Sequence, residues 1–364
     1  MIKNYSVFIK IFLISIFFFL IFDATIGKYI YKKFIREQLQ DIDINFSKFD
    51  EYYDHKYPKN FNAIGGWGNI RYKICTDNNS FRTSCKTNKK NLKSFDLAFI
   101  GDSFTDGIGF EYEKTFVGII DKELNQKKIA NLGVSSYSTS IYFTKMNKLI
   151  NDGYKFKEVV VFVDLSDLPD DVLCYEVKNK KIKKKDNFEN CWNNFNIKNN
   201  ELLDFFDKNF KISKLLINNV YNFFNENNIN SIQKNNVFNN SRSEWTYKYE
   251  KSNFNNLEFD KAINISITNM NNLYELLQKN LIELSVAVYP WPGTLKHDKV
   301  NNKQVEIWKN FCNQKCKKFY NLMPPFFEDN YEESYKKFYI ENDVHFNELG
   351  NKIIAQNFLT LYKK

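Results

Sequence analysis

From residue 95 onward, short apolar runs alternate with longer segments of helical periodicity. The apolar runs are typical of buried strands, and they lie at 95–100, 128–132, 158–163, 281–289 and 319–322. Between and after them, apolar residues recur three and four positions apart, which predicts helices at 116–124, 141–150, 257–277, 305–316 and 347–361. Because the links are short, the pattern predicts a parallel sheet with right-handed crossovers. The predicted fold class is α/β, a three-layer α/β/α sandwich.

Two parts of the chain do not follow this alternation. Residues 168–255, after the third predicted strand, are too long for a loop in a compact domain, which predicts an insertion with helices of its own, the clearest at 202–224. Residues 28–93 show no strong alternation, and 63–68 have the composition of a turn. We therefore expect a cytoplasmic tail and anchor at 1–27, a stalk-like extension at 28–93 that wraps onto the domain, and the α/β domain with its insertion at 94–364.

The amino-terminal segment is apolar on every face. Residues 11–22 are apolar except for Ser15, and apolar character resumes after Asp23. This length lies between a signal-peptide core and a full membrane span. Only Thr25-Ile26-Gly27 offers a weak cleavage site, so an uncleaved, single-pass membrane anchor is favoured over a cleaved signal or a buried core helix.

Six cysteines form three neighbouring couples, which are Cys75 with Cys85, Cys174 with Cys191, and Cys312 with Cys316. No histidine stands nearby to complete a metal site, so disulfides formed in an oxidising compartment are favoured over reduced thiols. The basic residues after the apolar segment would instead keep the domain cytoplasmic by the positive-inside rule. We give the cysteines precedence because basic residues are abundant throughout the chain. The predicted location is the cell membrane, with the domain extracytoplasmic, in the periplasm or outside the cell.

The net charge of +9 does not identify a partner, because Lys, Asn, Ile, Phe and Tyr are all abundant in the same chain. The basic run at 178–185 lacks helical apolar spacing, which favours a solvated loop over a polyanion site. The sequence has neither zinc-finger spacing nor a glycine-rich phosphate loop. We therefore expect no nucleic-acid partner, no metal site and no cofactor.

A serine follows the first predicted strand, and a histidine precedes the last predicted helix. Ser103 stands in Gly-Asp-Ser-Phe, where a strand that turns into a helix exposes a hydroxyl at the carboxyl edge of a sheet. The chain has three histidines, which are His55, His297 and His345. A serine nucleophile needs a base for its proton and an acid to orient that base, so the predicted triad is Ser103, His345 and Asp343. The alternative is a helix-capping Ser103 and a packed His345.

These motifs resemble the SGNH, or GDSL-like, hydrolase family over roughly residues 94–363, the insertion excepted. Gly101-Asp102-Ser103-Phe104 matches the family's first block, and Asn131-Leu132-Gly133 matches its second. The resemblance implies a flavodoxin-like sandwich with Ser103 as the nucleophile. It also implies an oxyanion hole that contains the N–H groups of Ser103 and Gly133.

Two blocks depart from the family pattern. The third block is usually Gly-x-Asn-Asp, whereas this chain has Asp164-Leu165-Ser166-Asp167, so Ser166 stands where a further oxyanion donor is expected, with helix capping as its competing role. Aspartate and histidine are commonly three apart, whereas Asp343 is two before His345, and Asn342 is a neutral alternative orienting residue. The closer spacing resembles a membrane-associated branch that handles acetyl groups on bacterial polysaccharides.

Two further residues are candidate substrate contacts. Trp291 follows the fourth predicted strand, where its ring can stack on a sugar, with a rigid packed turn as the alternative. Asp102 adjoins the predicted nucleophile. Together these features predict a serine hydrolase for acyl esters, above all acetyl esters, of a cell-envelope glycan or lipid. The alternatives are a polysaccharide O-acetyltransferase, with a membrane protein that supplies acyl groups as its partner, and a non-catalytic glycan-binding or assembly module.

Overall fold

A computed structural model describes residues 2–31, 46–68, 70–86, 92–185, 188, 191, 209–213, 216–217, 237–251, 253–254 and 257–364. The chain divides into two compact units. The smaller unit comprises residues 1–44 and 194–233, and the larger comprises residues 45–193 and 234–364.

The larger unit contains both strands and helices. The strands are Lys48–Asp50 (β1), Asp54–Lys56 (β2), Asn62–Trp67 (β3), Ile70–Thr76 (β4), Arg82–Thr83 (β5), Ser94–Ile100 (β6), Ile129–Asn131 (β7), Lys155–Val163 (β8), Tyr175–Lys178 (β9), Lys181–Lys184 (β10), Asn253–Phe254 (β11), Leu257–Glu258 (β12), Glu283–Val288 (β13) and Lys318–Asn321 (β14). The helices in the described part of the chain include Ile2–Phe22 (α1), Lys28–Ile30 (α2), Ser103–Asp106 (α3), Phe116–Glu123 (α4), Thr139–Asn151 (α5), Asp167–Leu173 (α6), Phe259–Lys279 (α7), Pro292–His297 (α8), Lys303–Cys312 (α9), Tyr331–Phe338 (α10) and Glu348–Lys363 (α11).

In the described part of the chain, eight strands form one sheet in the order β14-β13-β8-β6-β7-β5-β4-β3. The five strands from β14 to β7 run parallel, and they are the five that the apolar runs predicted. β5, β4 and β3 extend the sheet with antiparallel pairing. The predicted α/β class is therefore confirmed, with a mixed sheet in place of a wholly parallel one.

The central strands are apolar throughout because helices cover both of their faces. Ala98 and Val159 face a core built with α5, α7 and α9. Leu97 and Phe99 point to the other face, where they pack with residues of α4 and α11. Successive residues of one strand thus enter opposite cores, which gives the three layers.

The residues before 94 contribute strands to this sheet, and the turn expected at 63–68 is wrong. Asn62–Trp67 pairs with Ile70–Thr76, and Gly65 lies opposite Tyr72. A Cβ added to Gly65 would lie 3.1 Å from the Tyr72 Cζ, so this glycine allows close packing within the sheet. The expected boundary at residue 94 therefore separates strands of one sheet.

All six cysteines are paired as the spacing predicted. The disulfides are Cys75–Cys85, Cys174–Cys191 and Cys312–Cys316. The first of them joins β4 to the segment after β5, and so closes the antiparallel extension of the sheet.

The smaller unit contains the predicted apolar segment. One helix in the described part of the chain, Val7–Ile30 with 24 residues, is long and apolar enough to cross a membrane, as an anchor or as a signal sequence. Asp23, within this helix, is buried, and its carboxylate accepts the N–H groups of Ile212 at 3.0 Å and Ser213 at 2.7 Å. Most of the helix predicted at 202–224 lies outside the described residues.

Candidate active site

Ser103 begins the short helix α3, directly after β6. Asp102 caps this helix, because its carboxylate accepts the Phe104 N–H at 3.0 Å. A side chain at Gly101 would collide with the Thr105 hydroxyl, so glycine is needed where the strand turns into the helix. The turn presents a partly buried Ser103 hydroxyl at the carboxyl edge of the sheet.

The structure brings the three predicted triad residues together. The Ser103 Oγ lies 2.8 Å from the His345 Nε2. On the opposite side of the ring, the His345 Nδ1 lies 2.6 Å from the Asp343 Oδ1. Residues from the two ends of the α/β domain therefore form a continuous Ser-His-Asp arrangement.

A tight turn explains why an aspartate two residues before the histidine can reach it. Asn342 has a φ of 59°, in the left-handed region that asparagine adopts more readily than most residues. The Asp343 N–H donates to the Ile340 carbonyl at 3.1 Å, and the Ile340 N–H donates to the His345 carbonyl at 2.9 Å. This turn brings Asp343, rather than Asn342, to the imidazole Nδ1.

Trp67 completes the surroundings of Asp343, a contact that no motif in the sequence indicates. Its indole Nε1–H donates to the Asp343 Oδ2 at 2.6 Å. Its ring meets the His345 ring edge to face, with centroids 5.0 Å apart. Phe104 also contacts the imidazole, with ring centroids 4.7 Å apart. If residues 62–67 had been recognised as a strand of the main sheet, Trp67 at the end of that strand could have been placed near this edge.

The titration of the triad follows from these contacts. Burial acts to lower the pKa of His345, but the charge of Asp343 and its hydrogen bond outweigh burial, so the pKa lies above the ordinary 6.5. Burial acts to raise the pKa of Asp343, whereas the charge of His345 and the hydrogen bonds from His345 and Trp67 leave it below its ordinary value. The pair therefore favours an ionised Asp343 beside an imidazole that is a stronger base than usual.

Buried aspartates lie beneath the nucleophile. The Tyr289 hydroxyl is 2.9 Å from the Asp164 Oδ2 and 3.3 Å from the Asp102 Oδ1, so it lies between the two carboxyls. Burial, and then the charge of Asp164, raises the pKa of Asp102 well above its ordinary value. The pKa of Asp167 is raised in the same way, by burial and then by the charges of Asp164 and Asp102. Burial therefore makes ionisation of Asp102 and Asp167 less favourable than it is in water.

Neither candidate substrate contact is exposed. Trp291 is only 4% exposed to solvent, and its indole N–H donates to the Asp164 Oδ2 at 2.7 Å. The stacking role predicted for Trp291 is therefore wrong, because the buried carboxylate holds its ring inside the protein. Asp102 is 3% exposed, it caps α3, and its Oδ2 lies 3.1 Å from the Ser103 Oγ inside the protein, so it is not a substrate contact.

Two of the three predicted oxyanion donors are engaged inside the protein. The Gly133 N–H donates to the Asn131 Oδ1 at 2.9 Å. The Ser166 hydroxyl donates to the Asp164 Oδ1 at 2.6 Å, and it makes no capping bond to its own helix. The predictions for Gly133 and Ser166 are therefore not met in this arrangement. Among the described residues, none accepts the Ser103 N–H, which leaves this donor available.

The other two histidines have different partners. The His55 Nδ1 lies 2.9 Å from the Asp54 Oδ2, and its Nε2 lies 2.7 Å from the Ser135 carbonyl. The His297 Nε2 lies 2.8 Å from the Asn239 Oδ1. Within the described residues, no group of three His, Cys, Asp or Glu side chains could hold a metal ion.

The chain is similar to solved structures of lipolytic proteins of the G-D-S-L family and of esterases. A lipolytic protein of the G-D-S-L family from Veillonella parvula is 11% identical with a TM-score of 0.39, over 74% of this chain and 98% of that chain. An esterase from Pseudoalteromonas sp. is 10% identical with a TM-score of 0.37, over 75% of this chain and 97% of that chain. A catalytic mutant of an acetylxylan esterase from Geobacillus stearothermophilus is 11% identical with a TM-score of 0.38, over 74% and 95% of the two chains. No protein-family model matches the sequence, and no curated protein matches it.

Proposed function

We propose that this protein is an SGNH-type serine hydrolase that cleaves acyl esters through Ser103, His345 and Asp343. The observation that carries the proposal is the 2.8 Å contact between the Ser103 Oγ and the His345 Nε2, continued by the 2.6 Å contact to Asp343. A serine that only caps a helix needs no imidazole at hydrogen-bond distance. Here the capping bond belongs to Asp102 instead.

The proposed reaction has two halves, and His345 transfers the proton in each. In the first, His345 takes the Ser103 proton, the Ser103 oxygen attacks the ester carbonyl, and His345 returns the proton to the departing alcohol. In the second, a water gives its proton to His345 and attacks the acyl-enzyme, which releases the acid and restores Ser103. Asp343 stabilises the imidazolium in both halves. The Ser103 N–H is the donor available to the oxyanion, and the Gly133 N–H joins it only if Asn131 turns away.

The proposed substrate is an acyl ester, above all an acetyl ester, of a cell-envelope glycan or lipid. The helix Val7–Ile30 supports a substrate near a membrane, since a small soluble ester would require no anchor. The three disulfides support an extracytoplasmic domain, because they form in oxidising compartments. We therefore place the protein in the cell membrane with one span. A membrane protein that supplies acyl groups is the partner that a transferase would require.

A non-catalytic glycan-binding or assembly module is the second candidate. The observation that favours it is the engagement of Gly133 and Ser166 with partners inside the protein. An oxyanion hole with one donor stabilises the intermediate less than one with two or three donors. The continuous contact from Ser103 to Asp343 favours chemistry, and product analysis separates the two candidates.

We expect the full chain, purified in detergent, to release acetate from 4-nitrophenyl acetate. When an acetyl donor and a candidate polysaccharide are added together, the acetylated product identifies the acceptor. Free acetate as the main product indicates a hydrolase, and an acetylated polysaccharide indicates the transferase, in which a glycan hydroxyl replaces water. Binding of polysaccharide without turnover of any acetyl ester would contradict the proposed chemistry and favour the non-catalytic module.

We expect kcat/KM to fall at acid pH with a midpoint above 6.5. His345 accepts a proton only when it is neutral, and its contact with Asp343 raises its pKa, so protonation inactivates the base at a higher pH than for a free imidazole. The check is a pH profile of kcat/KM with the full chain and 4-nitrophenyl acetate, corrected for spontaneous hydrolysis. An acid limb below pH 6.5 would show that His345 is not stabilised as an imidazolium.

A further inference from the structure

We infer that Trp67 is a positioning residue of the triad, which holds the Asp343 carboxylate in the orientation that serves His345. This inference rests on the proposed hydrolase function. It places an essential part of the site in the amino-terminal strands, outside the segments that carry the Gly-Asp-Ser and Asp-x-His motifs.

The two oxygens of the Asp343 carboxylate have separate partners. Oδ1 lies 2.6 Å from the His345 Nδ1, and Oδ2 accepts the Trp67 Nε1–H at 2.6 Å. A carboxylate bound at both oxygens cannot rotate about its terminal bond without losing a hydrogen bond. The Asp343 side chain is 21% exposed to solvent, so water would compete for Oδ2 if the indole were absent. Trp67 therefore fixes the carboxylate and limits its access to water.

Trp67 also contacts the imidazole itself. The indole and imidazole planes cross at 83°, an edge-to-face contact. Phe104, from the helix that Ser103 begins, contacts the same imidazole with its ring tilted by 32°. The His345 ring thus contacts an aromatic residue of β3 and one of α3, and both contacts restrict its rotation toward or away from Ser103.

The strand that carries Trp67 is tied to the helix that carries the nucleophile. β3 pairs with β4, and the Cys75–Cys85 disulfide joins β4 to the segment after β5. Arg82 of β5 forms a buried ion pair with Asp106 at the end of α3, with an N–O distance of 3.1 Å. Trp67 and Ser103 are therefore held on one connected framework, as a positioning role requires.

The test is Trp67→Phe in the full chain, because phenylalanine keeps an aromatic ring and removes only the N–H donor and part of the ring. We expect kcat on 4-nitrophenyl acetate to fall about 10- to 100-fold, as for loss of a hydrogen bond to a charged group, with KM unchanged. We also expect the acid limb of kcat/KM to move to higher pH. Without the indole N–H, more negative charge remains on the oxygen that faces His345, which stabilises the imidazolium and raises the pKa of His345.

A matched control comes from the same strand. Ile64 is exposed on β3, so Ile64→Ala removes a side chain from the strand without touching the triad, and we expect kcat and the pH profile to stay as in the parent. If Ile64→Ala lowers kcat as much as Trp67→Phe does, the effect belongs to the stability of the strand and the positioning role is overturned.

The titration of His345 gives a readout that does not require turnover. With histidine labelled selectively, NMR follows the imidazoles one by one, and we expect Trp67→Phe to shift the His345 titration upward and leave that of His297, far from the triad in sequence, unchanged. A parent chain without Ser103-dependent turnover would overturn the proposed function. An unchanged His345 titration in Trp67→Phe would overturn the inference, so the two failures are distinguishable.

Discussion

Replacing Ser103 with alanine should lower kcat on 4-nitrophenyl acetate by about 10⁴- to 10⁶-fold, the range found when a serine nucleophile is removed. The substitution deletes the attacking oxygen and leaves the rest of the site in place. The cap of α3 is made by Asp102, so the helix should stay intact. We therefore expect the loss of turnover without a change in thermal unfolding, measured by circular dichroism on the same preparation.

The control for this substitution lies at the other end of the same strand. Ser94 begins β6 and is exposed, whereas Ser103 follows the end of β6. Ser94→Ala should keep the kcat of the parent. Equal turnover by Ser103→Ala and Ser94→Ala would show that the hydrolysis comes from another group or from a contaminant.

Replacing Asp343 with asparagine should lower kcat by about 10⁴-fold, with little change in KM. The carboxylate accepts the Trp67 Nε1–H at Oδ2 and both the backbone N–H and the Nδ1–H of His345 at Oδ1, whereas an asparagine has a single oxygen and a donating NH₂. An NH₂ that faces the His345 Nδ1 would make that nitrogen an acceptor and move the proton to Nε2, and an NH₂ that faces Trp67 would lose the indole hydrogen bond. In either orientation the neutral amide does not stabilise the imidazolium, so His345 takes the Ser103 proton poorly. Steady-state kinetics on the activated acetyl ester measures the effect.

Asn342 provides the comparison that tests the spacing of aspartate and histidine. Because its φ is 59°, glycine fits the same backbone, and Asn342→Gly removes only the side chain. We expect Asn342→Gly to keep kcat close to that of the parent. The reverse outcome, with Asn342→Gly inactive and Asp343→Asn active, would make the neutral residue the orienting group.

The sequence predicts the parallel part of the sheet well because those strands are buried on both faces. The run Val159-Val160-Val161-Phe162 is apolar at every position and lies in the middle of β8. β3 was missed because Gly65 and Gly66 interrupt its pattern and are typical of turns. Their role in the structure depends on Tyr72, which lies opposite Gly65 on the partner strand. Such cross-strand packing leaves no local signal in the sequence.

The candidate site, like the sheet, was predicted in part. Ser103, Asp343 and His345 were predicted because their motifs mark the ends of predicted elements. The other contacts of the site, such as that of Trp67 with Asp343, were not predicted, since tertiary packing selects them. Gly133 was predicted as an oxyanion donor, but its N–H donates to Asn131. Trp291 was predicted as a sugar contact, but its indole N–H donates to Asp164.

The most direct test of the central claim is the location of covalent labelling by a fluorophosphonate. The full chain is treated in detergent, digested and analysed by mass spectrometry, beside His345→Ala as the variant that lacks the base. Activation of Ser103 by His345 predicts a single phosphonylated peptide with the adduct on Ser103, formed by the parent and not by His345→Ala. An unlabelled parent, an adduct on another residue, or equal labelling of His345→Ala would contradict it.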